Sequence, residues 1–195
     1  MARVKERRTY TKVRRAAAEE ETRLRIVEAL VGLHAEVGPS RTTVSAVAER
    51  AGVERLTVYR HFPDEPSMLR ACSALYMSRN PPPPLPRCDG VEPLAAVRKT
   101  LTAVYAWYRR NEPMFANILR DAEQMPAVRD ASADLFRYVD TLATRLDALF
   151  PRPTARRRAT LHHALEFRTW HSLARLTPSD RAAATLAASW VAAAS

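Results

Sequence analysis

Apolar positions recur at helical spacing from Leu24 almost to the end of the chain. Ile26, Leu30, Leu33 and Val37 are spaced four, three and four apart, with Leu24, Val27 and Val31 beside them. This pattern predicts a helix over about 20–37. Glu19, Glu20 and Glu21 suit its N-terminal dipole, and Gly38-Pro39 ends it. Val44 and Val47, with small Ala48 and Ala51, predict a short second helix capped by Thr42 or Thr43. Gly52 then supplies the positive φ that a sharp helix-to-helix turn requires. Val53 plugs the turn, and a third helix over 54–61 carries Val58 inward. Phe62-Pro63 closes it. A fourth helix starts near Asp64-Glu65-Pro66, with Met68, Leu69, Cys72, Leu75 and Tyr76 as its apolar face. A helix, a glycine turn and a second helix form the helix-turn-helix plan, whose second helix lies in a DNA major groove.

Residues 80–87, NPPPPLPR, break the helical pattern, because five prolines remove donors and hold the backbone near polyproline II. Helical periodicity resumes over 92–111, where Leu94, Val97, Leu101, Val104 and Tyr108 are spaced three, four, three and four. A shorter helix follows over 112–120, with Pro113 near its start. Val128, Leu135, Val139, Leu142, Leu146 and Leu149 predict a helix over 127–150, stopped by Pro151 and Pro153. The segment 154–176 carries two stripes: Leu161, Leu165, Leu173 and Leu176, and Phe167, Trp170 and Ala174 extended back to His163. Two stripes need two partner surfaces. At the last helix, Thr177 is the expected cap, Pro178 the first helical residue and Asp180 its capping-box partner. That helix runs to about Ala194, is rich in alanine, and carries Leu186, Trp190 and Val191. A two-striped helix followed by an alanine-rich one points to a dimer interface made from two helices of each chain. The expected fold is all-α with about nine helices. Its expected parts are an arm over 1–19, a helix-turn-helix unit over 20–63, a connecting helix over 64–79, a proline linker over 80–91 and a larger helical domain over 92–195.

Composition supports this picture. The chain has 195 residues, 47% of them apolar, enough for one generous domain or two small ones sharing a core. Only four glycines are present, and the richness in alanine and leucine favours helices over strands. No apolar run reaches the ~18–20 residues of a membrane span, and no apolar segment follows MARVKERRTY, so neither an anchor nor a signal peptide is expected. Cys72 and Cys88 have no metal or redox spacing, and reduced thiols in a cytoplasmic protein are expected. The net charge is +10, and residues 1–15 hold seven basic side chains against Glu6 alone. Such a segment reads either as an arm for phosphates or the minor groove, or as a solvated tail.

Enzymatic chemistry has little support. His162 and His163 are adjacent and diverge around a helix. His163 and His171 are two turns apart, beyond the i, i+4 spacing of paired metal ligands. No phosphate loop or nucleophile motif is present. Hence no catalytic residue, metal or cofactor is expected. Trp107, Tyr108, Met114, Phe115, Met125, Phe136, Tyr138, Phe167 and Trp170 offer material for an apolar pocket or for ordinary core packing. Trp107, Phe115, Phe167 and Trp170 are the foremost pocket candidates, with Arg109, Arg120, Asp121 and Glu166 either orienting a polar group or facing water.

Over 43–69 the sequence resembles the TetR family of bacterial transcriptional regulators. The resemblance is carried by the Thr43-Val44 start, Val47-Ala48, Ala51-Gly52-Val53, Thr57-Val58-Tyr59, His61-Phe62-Pro63 and Leu69. Arg109-Arg110-Asn111-Glu112-Pro113 and the Trp170 helix resemble the C-terminal domain of one family subset. The resemblance implies a homodimer, paired through the last two helices, on a near-palindromic double-stranded operator. It implies repression, released when a small apolar or amphipathic ligand in the C-terminal domain moves the fourth helix. By position, Thr43, Thr57, Tyr59 and His61 would contact phosphates, and Arg55 and Leu56 would face bases, Arg gripping guanine and Leu packing on a thymine methyl. Two departures stand out. Glu65 occupies a position where the family usually carries a phosphate-binding Lys, and Leu56 stands where a small residue is common. Weakened or lost DNA binding in a helical dimeric adaptor is therefore an alternative reading, and activation is another.

Overall fold

The computed structural model describes residues 2–86, 90 and 92–194, with side chains from Arg14 onward. Cys88, residues 87–89 and 91 of the proline linker, and the side chains of Arg3, Lys5, Arg7, Arg8 and Lys12 lie outside that description. Among the described residues there are eleven α-helices, one 3₁₀ turn (Pro39–Arg41) and no strand. The helices are α1 (Ala2–Glu36), α2 (Val44–Ala51), α3 (Arg55–His61), α4 (Glu65–Arg79), α5 (Pro93–Arg110) and α6 (Glu112–Asp121). They continue as α7 (Pro126–Ala131), α8 (Ala133–Asp147), α9 (Ala155–Leu165), α10 (Phe167–Ala174) and α11 (Asp180–Ala193). The chain forms two compact units. One comprises residues up to Arg79 together with Asn117–Ala131, and the other comprises Asn80–Ala116 and Ser132–Ser195.

In the first unit, the stripe of α1 meets the inner faces of α2, α3 and α4. Ile26, Leu30, Leu33, Val47, Val58, Phe62, Met68 and Cys72 form one buried cluster. Each such side chain removed from water contributes about 1.5–3 kcal/mol. The helix expected from about Glu20 begins at Ala2 instead. Residues 2–19 contain no proline or glycine and are rich in Arg, Lys, Glu and Ala, so nothing local stops the helix from extending backward. Residues 117–131, grouped with 92–195 in the sequence reading, pack here. Val128 and Ala122 close a second small cluster with Leu69 of α4.

Polar side chains from the end of α6 cap the end of α1. Asn117 Nδ2 donates to the carbonyls of His34 and Ala35 at 3.0 and 2.9 Å, and Arg120 Nη2 to that of Val37 at 3.1 Å. These carbonyls lie in the last turn of α1 or just past it, where intrahelical donors run out. Asp121 accepts from the Ser40 backbone N–H at 2.9 Å and pairs with Arg120 at 2.8 Å. Burial raises its carboxyl pKa, and the bonds from Arg120 and Ser40 outweigh that, holding it below the ordinary carboxylate value. Gly38, at φ +90, is the only residue type suited to this place, since a Cβ there would meet both Arg120 and Asp121.

In the second unit α5 is packed by α8, α9, α10 and α11. Ala183, Ala184, Ala187, Ala188 and Val191 of α11 are buried, and α11 packs chiefly on α5. The last helix is capped by Ser179 rather than Thr177, the Ser179 hydroxyl accepting from Ala182 N–H at 3.2 Å. Thr177 instead donates to the Leu173 carbonyl at 2.9 Å, so the capping position falls two residues later than the pattern predicts.

Two helices expected to be continuous are broken, which raises the count from nine to eleven. One break, at Ser132, coincides with the passage between units. The other is at Glu166, whose ψ of 139 is extended. Tyr105 and Tyr108 of α5 donate to the carbonyls of Ala164 and Leu165 at 2.7 and 2.6 Å. These phenols supply the donors that the interrupted helix lacks. The break divides the expected stripes: Leu161 and Leu165 are buried, while Leu176 is 83% exposed.

Buried Asp147 and Arg157 pair at 2.8 Å across the α8–α9 turn, with the Arg157 guanidinium 4.2 Å from the Phe150 ring centroid. Arg157 also donates to the Arg152 carbonyl. The described part of the proline segment is pinned as well: Trp107 Nε1 donates to the Asn80 carbonyl at 3.1 Å and Tyr138 to that of Pro83 at 2.8 Å.

Candidate nucleic-acid interface

The interface is built on α3 and the turn that sets it. Thr43 caps α2, its hydroxyl accepting from Ala46 N–H at 3.2 Å. At the other end Gly52 adopts φ 63, ψ 43, and its N–H returns to the carbonyls of Ala48 and Glu49. Arg25 donates to the Ala51 carbonyl at 3.2 Å, adding a side-chain cap from α1. These caps fix where α3 begins.

At 3.6 residues per turn, Arg55, Leu56, Tyr59 and Arg60 share an arc of roughly 140°. All four are exposed, whereas Val58 is buried and Thr57 and His61 are half-buried on the opposite side. Among the described residues no hydrogen bond or ion pair engages Arg55 or Arg60, so the outward arc carries two uncommitted guanidinium groups. Arg60 escaped the sequence reading, although its i, i+4 relation to Leu56 places it on the same face.

Thr43 and Tyr59 line the same cavity of about 290 Å³, whose floor includes Leu30, Val47 and Met68 and whose wall includes Asp64 and Glu65. The exposed Thr43 hydroxyl keeps its proton free to donate outward while its oxygen caps α2. His61 differs. Its Nε2 is buried with no hydrogen-bond partner among the described residues. Asp64 accepts from Ser67 N–H at 2.7 Å and caps α4, and that bond lowers its pKa. Beside it Glu65 is exposed, presenting a second carboxylate next to Thr43 and Tyr59.

Under this face His34 Nδ1 and Cys72 Sγ lie 3.2 Å apart in the core. Burial lowers the His34 pKa to about 4 against the opposing pull of Asp121, and burial pushes the Cys72 thiol up to about 12. The imidazole is thus neutral and the thiol unreactive near pH 7.

In the second unit, Trp107, Phe115, Phe167 and Trp170 converge. Ring centroids lie 4.8 Å apart for Trp107–Phe115, 5.9 Å for Phe115–Phe167 and 5.3 Å for Phe167–Trp170. Tyr108, between them, touches all four at 5.4–5.9 Å. The polar residues considered as ligand-orienting groups are committed elsewhere. Arg109 forks onto Asp180 at 2.8 and 2.7 Å, and Trp170 Nε1 donates to the same carboxylate at 2.9 Å. Arg120 and Asp121 belong to the cap on α1, and Glu166 lies 3.6 and 3.5 Å from His162 and His163. His162 also meets Asp140 at 2.9 Å, and His171 meets Glu112 at 3.3 Å. Among the described residues no group of three or more His, Cys, Asp or Glu side chains is placed to hold a metal ion.

Residues 26–72 match the family model described as bacterial regulatory proteins, tetR family. The HTH-type transcriptional regulator TtgR of Pseudomonas putida is 35% identical over 99 residues, covering 48% of this chain and 46% of that protein. The match therefore spans under half of the relative's length. In fold, the chain is similar to a TetR transcriptional regulator from Rhodococcus sp. RHA1, with TM-score 0.50, 20% identity, and 91% and 97% of the two chains covered. A tetR-family transcriptional regulator from Streptomyces coelicolor gives TM-score 0.57 at 18% identity, covering 90% of this chain and 79% of that one. No helix among the described residues is long and apolar enough to cross a membrane.

Proposed function

We propose that the chain is, through its N-terminal unit, a member of the TetR family of bacterial transcriptional regulators, and that it is a homodimeric repressor released from its operator by a small molecule. The observation that carries the proposal is the outward arc of α3. A capped helix-turn-helix holds Arg55, Leu56 and Arg60 facing solvent with no hydrogen bond or ion pair among the described residues, and Tyr59 exposed beside them. Arg55 and Leu56 read bases, and Thr43 and Tyr59 hold phosphates that fix the register. Thr57 and His61 complete the phosphate contacts from the flank of the helix.

Dimerisation uses α9 and α11. The alanine stripe of α11 is already engaged within the unit, so the pairing surface is its other face. There Leu186 is 42% exposed, and Trp190 and His163 stack with ring centroids 6.3 Å apart beside Ala159. Two chains joined this way place two α3 helices on the half-sites of a near-palindromic operator. The effector is a small apolar or amphipathic molecule that enters among Trp107, Phe115, Phe167 and Trp170 by parting rings that otherwise pack on each other.

Glu65 favours a second reading, an adaptor dimer that no longer binds DNA, because a carboxylate there repels the phosphate it faces. A gel shift with the region upstream of the protein's own gene separates the two. A discrete complex that resists excess unrelated duplex supports the regulator, and the absence of a complex with either duplex supports the adaptor. A thermal-shift screen with operator release as second readout identifies the effector.

A further inference from the structure

Leu56 is 82% exposed on the outward arc of α3, next to Tyr59 and Arg60 around the helix. Its isobutyl group gains almost nothing from folding there. Its neighbours on that arc are polar, and each can bond to phosphate oxygens or base acceptors. A leucine side chain has no donor or acceptor, so it cannot report the hydrogen-bonding pattern of a base pair. The one apolar group displayed in a DNA major groove is the C5-methyl of thymine. As the second residue of α3, Leu56 also lies at the end of a recognition helix that approaches base edges. Arg55 precedes it, so a guanine gripped by Arg55 and a base touched by Leu56 fall within a pair or two of each other.

We propose that Leu56 is a specificity-determining residue that selects a T·A pair in each half-site by burying the thymine C5-methyl group. The proposal rests on the DNA-binding reading above and assigns the chemistry that part of the operator must have. A donor-acceptor readout tolerates removal of that methyl; a leucine readout does not.

The test uses the full-length protein. Duplexes are first selected from a random-sequence library. Each thymine of the enriched site is then replaced by uracil in both half-sites, which deletes only the methyl and keeps every hydrogen-bonding group. Affinities are read by fluorescence anisotropy for the natural protein and Leu56→Ala. At one symmetric position uracil should weaken the natural protein by about fourfold per half-site, roughly fifteenfold for both. Leu56→Ala should bind the thymine and uracil duplexes alike, with an unchanged melting temperature because the side chain is exposed. The proposal is overturned if the natural protein is indifferent to uracil at every position, or if Leu56→Ala keeps the same uracil penalty. Enrichment of no sequence at all is a distinct result that removes the DNA-binding reading and this proposal together.

Discussion

The outward arc of α3 and the rings around α5 use large side chains to opposite ends. On α3, Leu56 and Tyr59 are 82% and 44% exposed, and neither is held by a neighbour on the arc. Around α5, Trp107, Tyr108 and Trp170 are all at most 2% exposed, and each touches several other rings. Side chains left outside the packing are free to meet a partner, whereas those inside have met theirs. In the first region the proposed DNA contacts are surfaces already presented to solvent. In the second, evidence for a ligand rests on what the rings would do if parted.

That contrast predicts which substitutions act on folding and which on binding. The largest effect is expected at the buried ion pair of the second unit. Asp147→Ala leaves the Arg157 guanidinium buried without its carboxylate, and should cost about 3–5 kcal/mol in denaturant unfolding. Operator affinity of the remaining folded protein should stay unchanged. A loss below 1 kcal/mol would show that water reaches Arg157 and that this region is looser than its contacts imply.

Next comes the pH response of the first unit. The folded-state pKa of His34, about 4, lies below its ordinary 6.5, so the unfolded chain takes up the proton first. The stabilisation is complete above about pH 6.5 and is lost as pH falls towards 4, by roughly 3 kcal/mol in all. The melting temperature of the natural protein should fall across that window, and that of His34→Gln should fall much less, because the titrating imidazole is gone. An unchanged pH dependence in the variant would assign the acid sensitivity to other groups.

The fold was legible wherever local pattern decides. Val44, Val47 and Val58, with Gly52, announce the helix-turn-helix, since its caps and its positive φ come from adjacent residues. What escaped depends on distant partners. The break at Glu166 has no proline or glycine to mark it and is held by phenols from α5, 57 and 59 residues earlier. The cap on α1 comes from Asn117 and Arg120, more than 80 residues away. For the same reason Arg109, read as a possible ligand contact, is tied to Asp180. On α3 the face itself was legible from spacing alone, which also includes Arg60. Leu56 departs from the family pattern in sequence, but its exposure is visible only in three dimensions.

Smaller effects sharpen the account of the first region. Removing residues 1–15 takes away a net +6. It should weaken operator binding on the order of tenfold and flatten the dependence on salt, as anisotropy titrations at several salt concentrations will show. Equal affinity and slope in the truncated protein would make the extension of α1 a solvated helix only. Glu65→Lys reverses a charge beside Thr43 and Tyr59. It should tighten operator binding several-fold, up to about tenfold, and steepen the salt slope by about one ion per half-site.

The central claim, that the outward arc of α3 reads an operator, is tested most directly by one titration. The natural protein and Arg55→Ala are compared on the selected operator and on a scrambled duplex of the same length. Arg55 is exposed and bears no structural contact among the described residues, so the variant should melt at the same temperature. It should lose about tenfold to a hundredfold in operator affinity per half-site while its binding to the scrambled duplex falls only slightly. Equal operator binding by the two proteins would contradict the account.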